Sequence, residues 1–168
     1  GGHAGTLNPF AFVAAVRNFY SGTIALAGCL YTGKDVLAAQ LMGADLAYIG
    51  TGFIATHEAQ AEHAYKDMIV SAHAEDIIYT PEFTGVNANI LKQSIQQAGI
   101  NPQTVAEPSR KKPSKLMMIW KHWRMKRIKR WKDIWSAGQG VEKITAIRSV
   151  KEYVDELIYV YNNAKNKQ

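Results

Sequence analysis

The chain has 168 residues, enough for one domain with a real core, and is 47% hydrophobic and 20% charged, an ordinary globular balance. Its net charge of +6 is local. Residues 110–132 hold 11 of the 20 Lys and Arg and no acid, leaving nine basic residues against 14 acidic elsewhere, a net of −5. No apolar run approaches the roughly 20 residues that span a bilayer, which argues against a membrane protein. No charged start followed by an apolar stretch reads as a signal peptide, and the single Cys29 excludes an internal disulfide, so a cytoplasmic setting is expected. Residue 1 is Gly rather than Met, so sequence upstream of it is expected.

In chain order, Asn8-Pro9 predicts a helix start, with Asn as N-cap and Pro at the first helical position. Phe10, Val13, Val16 and Tyr20 recur along it at helical spacing, and Ser21-Gly22 ends it. Residues 24–28 read as a short buried strand. Thr32-Gly33 opens a second helix, which Gly43 stops. Residues 45–50 read as another buried strand, and Thr56 is expected to cap a third helix running to about residue 70. Neither strand alternates with polar residues, which suits parallel strands covered by helices. Residues 77–79 form a further extended piece before Pro81. Residues 81–102 read as a loop with one short helix over 90–98, and 101–114 as a loop. A basic helix is expected over 115–132, a turn over 137–140 and a last helix over 147–164. That last helix would carry Val150, Val154, Leu157, Ile158 and Tyr161 on one face.

Two turns and one imidazole carry the candidate chemistry. Gly28 ends the first strand and the turn runs on to Gly33. Gly50 ends the second, followed by Thr51-Gly52. Glycine lets a backbone approach an anion, and helix N-termini at the strand C-ends offer N–H groups, so two such turns can cradle one phosphate. Tight βα turns end in glycine without any ligand as well. The stretch Gly1-Gly2-His3-Ala4-Gly5 sets one imidazole in a pliable backbone, where it can exchange a proton near neutral pH or serve simply as a loop residue. There is no dinucleotide fingerprint and no phosphate-loop lysine motif. His57, His63 and His73 lack metal-ligand spacing and Cys29 lacks a thiol partner, so no metal is expected.

Five motifs occur in a characteristic order. They are Gly1-Gly2-His3-Ala4-Gly5, the turn over 28–33, the run 43–51, the run Tyr79-Thr80-Pro81-Glu82-Phe83-Thr84-Gly85-Val86, and Ser136-Ala137-Gly138-Gln139-Gly140-Val141. Together they resemble the nitronate monooxygenase family, formerly the 2-nitropropane dioxygenases. The resemblance implies an α/β fold, the C-terminal part of a flavin-binding eight-stranded (β/α)8 TIM barrel plus a small, mostly helical region. It implies FMN as cofactor, His3 as the active-site histidine, and Gly1 against the flavin. Gly28, Tyr48, Ile49, Gly50 and Thr51 would hold the phosphate, and Gln139 would approach the cofactor. The implied reaction oxidises an alkyl nitronate, or a nitroalkane, with O2 to a carbonyl compound and nitrite. Two positions depart from the pattern: Gly52 stands where the family usually has Arg, and Glu142 where it has Gly.

Three segments are expected: 1–80 with the βα units and the FMN site, 81–135 with the basic helix, and 136–168 with the flavin-proximal turn and last helix. About three strands cannot close an eight-stranded barrel, so the isolated chain is expected to be inactive. Residues 115–135 hold all four tryptophans, Trp120, Trp123, Trp131 and Trp135, among basic residues. A docked surface helix is the reading preferred there, with no nucleic acid or membrane partner expected; a module binding nucleic acid or a membrane surface is the alternative. An NADH-dependent quinone or enoyl reductase on the same barrel is the alternative chemistry.

Overall fold

The computed structural model describes residues 2–106 and 130–167. In chain order its elements are β1 (Gly2–His3), α1 (Pro9–Arg17), β2 (Ala25–Ala27), α2 (Gly33–Leu41), β3 (Leu46–Tyr48), α3 (Thr51–Ile54) and α4 (His63–Ser71). There follow a 3-10 turn (Ala74–Asp76), β4 (Ile77–Thr80), β5 (Ala88–Leu91), α5 (Lys92–Gln97), α6 (Gln103–Ala106) and α7 (Arg130–Asp133). A second 3-10 turn (Val141–Lys143) and α8 (Val150–Lys165) complete the order. The chain divides into two compact units, a βα unit of Gly5–Ala74 with Gly138–Gln168, and an antiparallel unit of Gly1–Ala4 with Glu75–Ala137. These units cut across the segments 1–80, 81–135 and 136–168, because strand pairing joins β1 to β5 and β5 to β4.

In the βα unit the helix starts follow their caps. The Asn8 side chain accepts the Phe10 N–H at 2.9 Å ahead of Pro9. Thr32 and Asp35 form a reciprocal capping box on α2, as Ser149 and Glu152 do on α8. β2 and β3 pair in parallel, Leu26 opposite Ala47. Leu26 packs with Val13, Leu30, Ala39 and Ala44 in one core cluster. Arg17 ties this layer together: Nε donates to the Gly43 carbonyl at 2.8 Å and Nη2 to Asp45 at 2.6 Å, while Asp45 also accepts the Ile24 N–H at 2.8 Å. The Ile24 N–H and then Arg17 hold the Asp45 carboxyl below its usual range.

Several expectations give way here. Burial on both strand faces is not met: Leu46 and Tyr48 lie exposed opposite the Leu26 side. Of the expected α1 face, Val13 is buried but Phe10 and Tyr20 are exposed. Thr56 caps no helix. Its hydroxyl donates back to the Phe53 carbonyl at 2.8 Å; α3 ends ahead of it at Ile54, and the expected helix begins only at His63, as α4. Lys66, buried on α4, donates to the Thr56 carbonyl at 2.6 Å and fixes that break. On α8 the inward residue is Tyr153, whereas Ile158 is exposed.

The antiparallel unit holds a three-stranded sheet, order β1-β5-β4, with Gly2 opposite Asn89 and Asn89 opposite Tyr79. Among the described residues this unit therefore mixes three strands with α5, α6 and α7. β5 was expected to begin a helix over 90–98; its four residues are all buried, and a short apolar run has no period that separates strand from buried helix. Ile90 packs with Phe83, Ala88, Ile95, Val105 and Ile134 in this unit's core. Helix α6 falls within the stretch 101–114 that was expected to be loop. The basic helix expected over 115–132 lies outside the described residues except at α7, which is helical. Among the described residues the strands form no closed barrel.

Candidate functional site

The βα unit gathers three of its loops at the C-terminal ends of β2 and β3. Gly28, with φ +102°, and Cys29, with φ +58°, both turn left-handed directly after β2. That conformation suits glycine, and a Cβ on Gly28 would meet nothing within 4 Å, so the turn faces open space. Gln139 stands beside it, with Oε1 3.8 Å from the Cys29 sulfur.

Thr51 begins α3 after β3. Its side chain is buried, and Oγ1 accepts the Gly138 N–H at 3.0 Å. The Tyr31 ring lies against Gly138 and Gly140, neither of which leaves room for a Cβ there, and its hydroxyl meets that of Thr51. Burial pushes the Tyr31 phenol above its ordinary range, which keeps it neutral. Behind Tyr31, the Tyr153 hydroxyl donates to the Tyr31 carbonyl at 2.8 Å; burial, with the neighbouring Tyr31 adding to it, pushes the Tyr153 phenol up to about 12.

Asp35 anchors the same turn. It accepts the N–H groups of Tyr31 and Thr32, each at 2.9 Å, and the Lys143 ammonium at 2.9 Å. Burial opposes its ionisation, but Lys143 and the two N–H groups outweigh it and hold the carboxyl below its usual range. Asp35 thus takes up the two N–H groups just ahead of α2, and the Thr32 hydroxyl accepts the N–H of Asp35. The backbone of residues 28–30 and the opening of α3, whose first N–H groups have no partner within the helix, lie at the same end of the unit.

The expected phosphate residues Gly28, Gly50 and Thr51, and Gln139, which was expected to approach the cofactor, stand on neighbouring loops of one unit. Tyr48 and Ile49 precede Gly50 on the chain; their side chains line a separate open cavity of about 470 Å³ with Val36, Phe53 and Leu157. His3, exposed on β1 opposite Ala88, belongs to the antiparallel unit. Gly1 lies outside the described residues. Among the described residues no three His, Cys, Asp or Glu side chains come together to hold a metal ion, and no helix is long and apolar enough to cross a membrane. The tyrosines Tyr31 and Tyr153 were missed from sequence, although Val150, Tyr153, Leu157 and Tyr161 do recur at helical spacing.

A sequence profile of nitronate monooxygenase matches residues 1–159. The chain belongs to the nitronate monooxygenase family. Within that family, a probable nitronate monooxygenase of Bacillus subtilis (strain 168) is 27% identical over 173 residues, covering 94% of this chain and 48% of that protein. FabK from Thermotoga maritima superposes with a TM-score of 0.76 at 21% identity, over 99% of this chain and 53% of that one. A nitroalkane oxidase from Streptomyces ansochromogenes superposes with a TM-score of 0.71 at 22% identity, over 99% of this chain and 50% of that one. The chain spans about half the length of these relatives, and the structural likenesses establish its fold.

Proposed function

We propose that this chain carries the phosphate-binding part of an FMN-dependent nitronate monooxygenase, which oxidises an alkyl nitronate with O2 to a carbonyl compound and nitrite. The single observation that carries the reading is the family match over residues 1–159. The cradle supports FMN on its own chemistry: a left-handed Gly28 turn open to space, a helix start at Thr51, and the Gln139 amide beside Cys29. When bound, FMN supplies the electron transfer between nitronate and oxygen.

The protein's own groups divide the remaining work. The backbone at 28–30 and 50–52 holds the phosphate through N–H groups, which act on an anion more strongly than on a neutral group. Gln139 offers both a donor and an acceptor toward the bound cofactor. His3 accepts the α-proton of a neutral nitroalkane, or turns its ring N–H toward the nitro oxygens of the nitronate anion. Gly1 lies against the flavin in this reading.

Oxygen uptake and nitrite release, measured together on the purified full-length protein that contains this chain, test it. With an alkyl nitronate, nitrite should appear as oxygen is consumed, and His3→Asn should slow turnover of the neutral nitroalkane far more than that of the preformed nitronate. Oxygen-independent turnover of NADH with a quinone or an enoyl thioester, and no nitrite from nitronate, would replace this reading with a reductase.

A further inference from the structure

Gly52 and Tyr153 fit together in a way that neither position explains alone. A Cβ on Gly52 would fall on the hydroxyl, Cζ and Cε1 of Tyr153. Such a contact is relieved cheaply when a flexible side chain can swing aside, but Tyr153 has little freedom. It is 7% exposed, its ring packs on Phe53 with centroids 4.9 Å apart, the Arg148 guanidinium sits 5.6 Å from its centre, and its hydroxyl is fixed to the Tyr31 carbonyl at 2.8 Å. Gly52 lies on α3, where alanine favours the helix by about 1 kcal/mol over glycine. The packing reason for a glycine there is the tyrosine ring.

Tyr153 also reaches the turn over 28–33. Tyr31 is held at three points: its N–H by Asp35, its carbonyl by Tyr153, and its ring against Gly138 and Gly140. Loss of the Tyr153 hydroxyl leaves a buried carbonyl unpaired and removes one of the holds on the turn between Gly28 and α2.

We infer that Gly52 and Tyr153 are a matched pair, and that Tyr153 is a positioning residue. By holding the Tyr31 carbonyl it sets the Gly28 turn in the shape that takes a phosphate, in the space that Gly52 leaves. This rests on the reading of that turn as the FMN phosphate site.

Two measurements on the full-length protein separate the parts. The first compares dissociation constants for FMN and for riboflavin, which lacks the phosphate, in the parent and in Tyr153→Phe. FMN should bind about tenfold more weakly in the variant, with riboflavin unchanged. Equal weakening of both ligands, or of neither, overturns the positioning role. Failure of the parent to bind FMN overturns it together with the phosphate reading. The second is a flavin-free melting cycle. Gly52→Ala should lower the melting temperature by several degrees in the parent, and should leave it unchanged or raise it in a Tyr153→Leu background. An equal loss in both backgrounds overturns the pair, whatever the flavin does.

Discussion

Thr51 does more inside the fold than the sequence suggested. Its hydroxyl accepts the Gly138 N–H in a buried position, so it links α3 to the loop carrying Gln139. Thr51→Ala should cost about 1–3 kcal/mol in urea melts, because the Gly138 N–H then has no acceptor, while Thr51→Ser should restore most of it. Tyr153 gives a second residue-scale expectation. Its folded pKa of about 12 exceeds the ordinary 10.0, so its neutral form stabilises the native state at any pH below 10. That contribution fades as pH rises from about 10 to 12. Tyr153→Phe, which cannot ionise, should flatten the alkaline limb of stability over that window; an unchanged limb would contradict the assignment. Gly28 and Thr51 were legible because a glycine turn after a strand is a local signal. Tyr31 and Tyr153 were not, because their bond joins residues 122 apart in the chain, and no local pattern records such a partner.

At the scale of elements, α2 and α8 pack backbone to backbone. A Cβ on Gly33 would strike the Leu157 carbonyl and the Tyr161 N–H, which are main chain and cannot swing away. Gly33→Ala should therefore destabilise by about 1–3 kcal/mol through overpacking, read as a lower denaturation midpoint with little change in slope. The helix starts at Asn8 and Thr32 and the parallel β2–β3 pair were legible, since caps and strand-turn-helix punctuation are written within a few residues. The break between α3 and α4 was not: it depends on Lys66 reaching back to the Thr56 carbonyl. Nor was β5, where four buried residues offer no alternation to read.

At the scale of the whole molecule, the chain forms two compact units, with the loops of Gly28, Thr51 and Gln139 all within one of them. Asp35 joins the turn after β2 to Lys143, 108 residues away. Its folded pKa lies below the ordinary 3.8, so it stabilises the native state above that value, and the contribution is lost as pH falls through the folded pKa. Asp35→Asn should remove that part of the acid transition, checked by melting temperature against pH. The exposure of Leu46 and Tyr48 contradicted strands buried on both faces, and the chain covers about half the length of its relatives. The sequence pattern records which residues are apolar, but not which of them this chain alone can cover.

In the proposed function, a flavin held at the Gly28 and Thr51 loops reacts with nitronates. The most direct measurement is the visible spectrum of the purified full-length protein that contains this chain, taken before and after adding an alkyl nitronate without oxygen. A flavin absorption band that bleaches on addition, and returns when air is admitted, is the predicted result. No flavin band even after FMN is supplied, or a band that ignores nitronate and bleaches only with NADH, would contradict it.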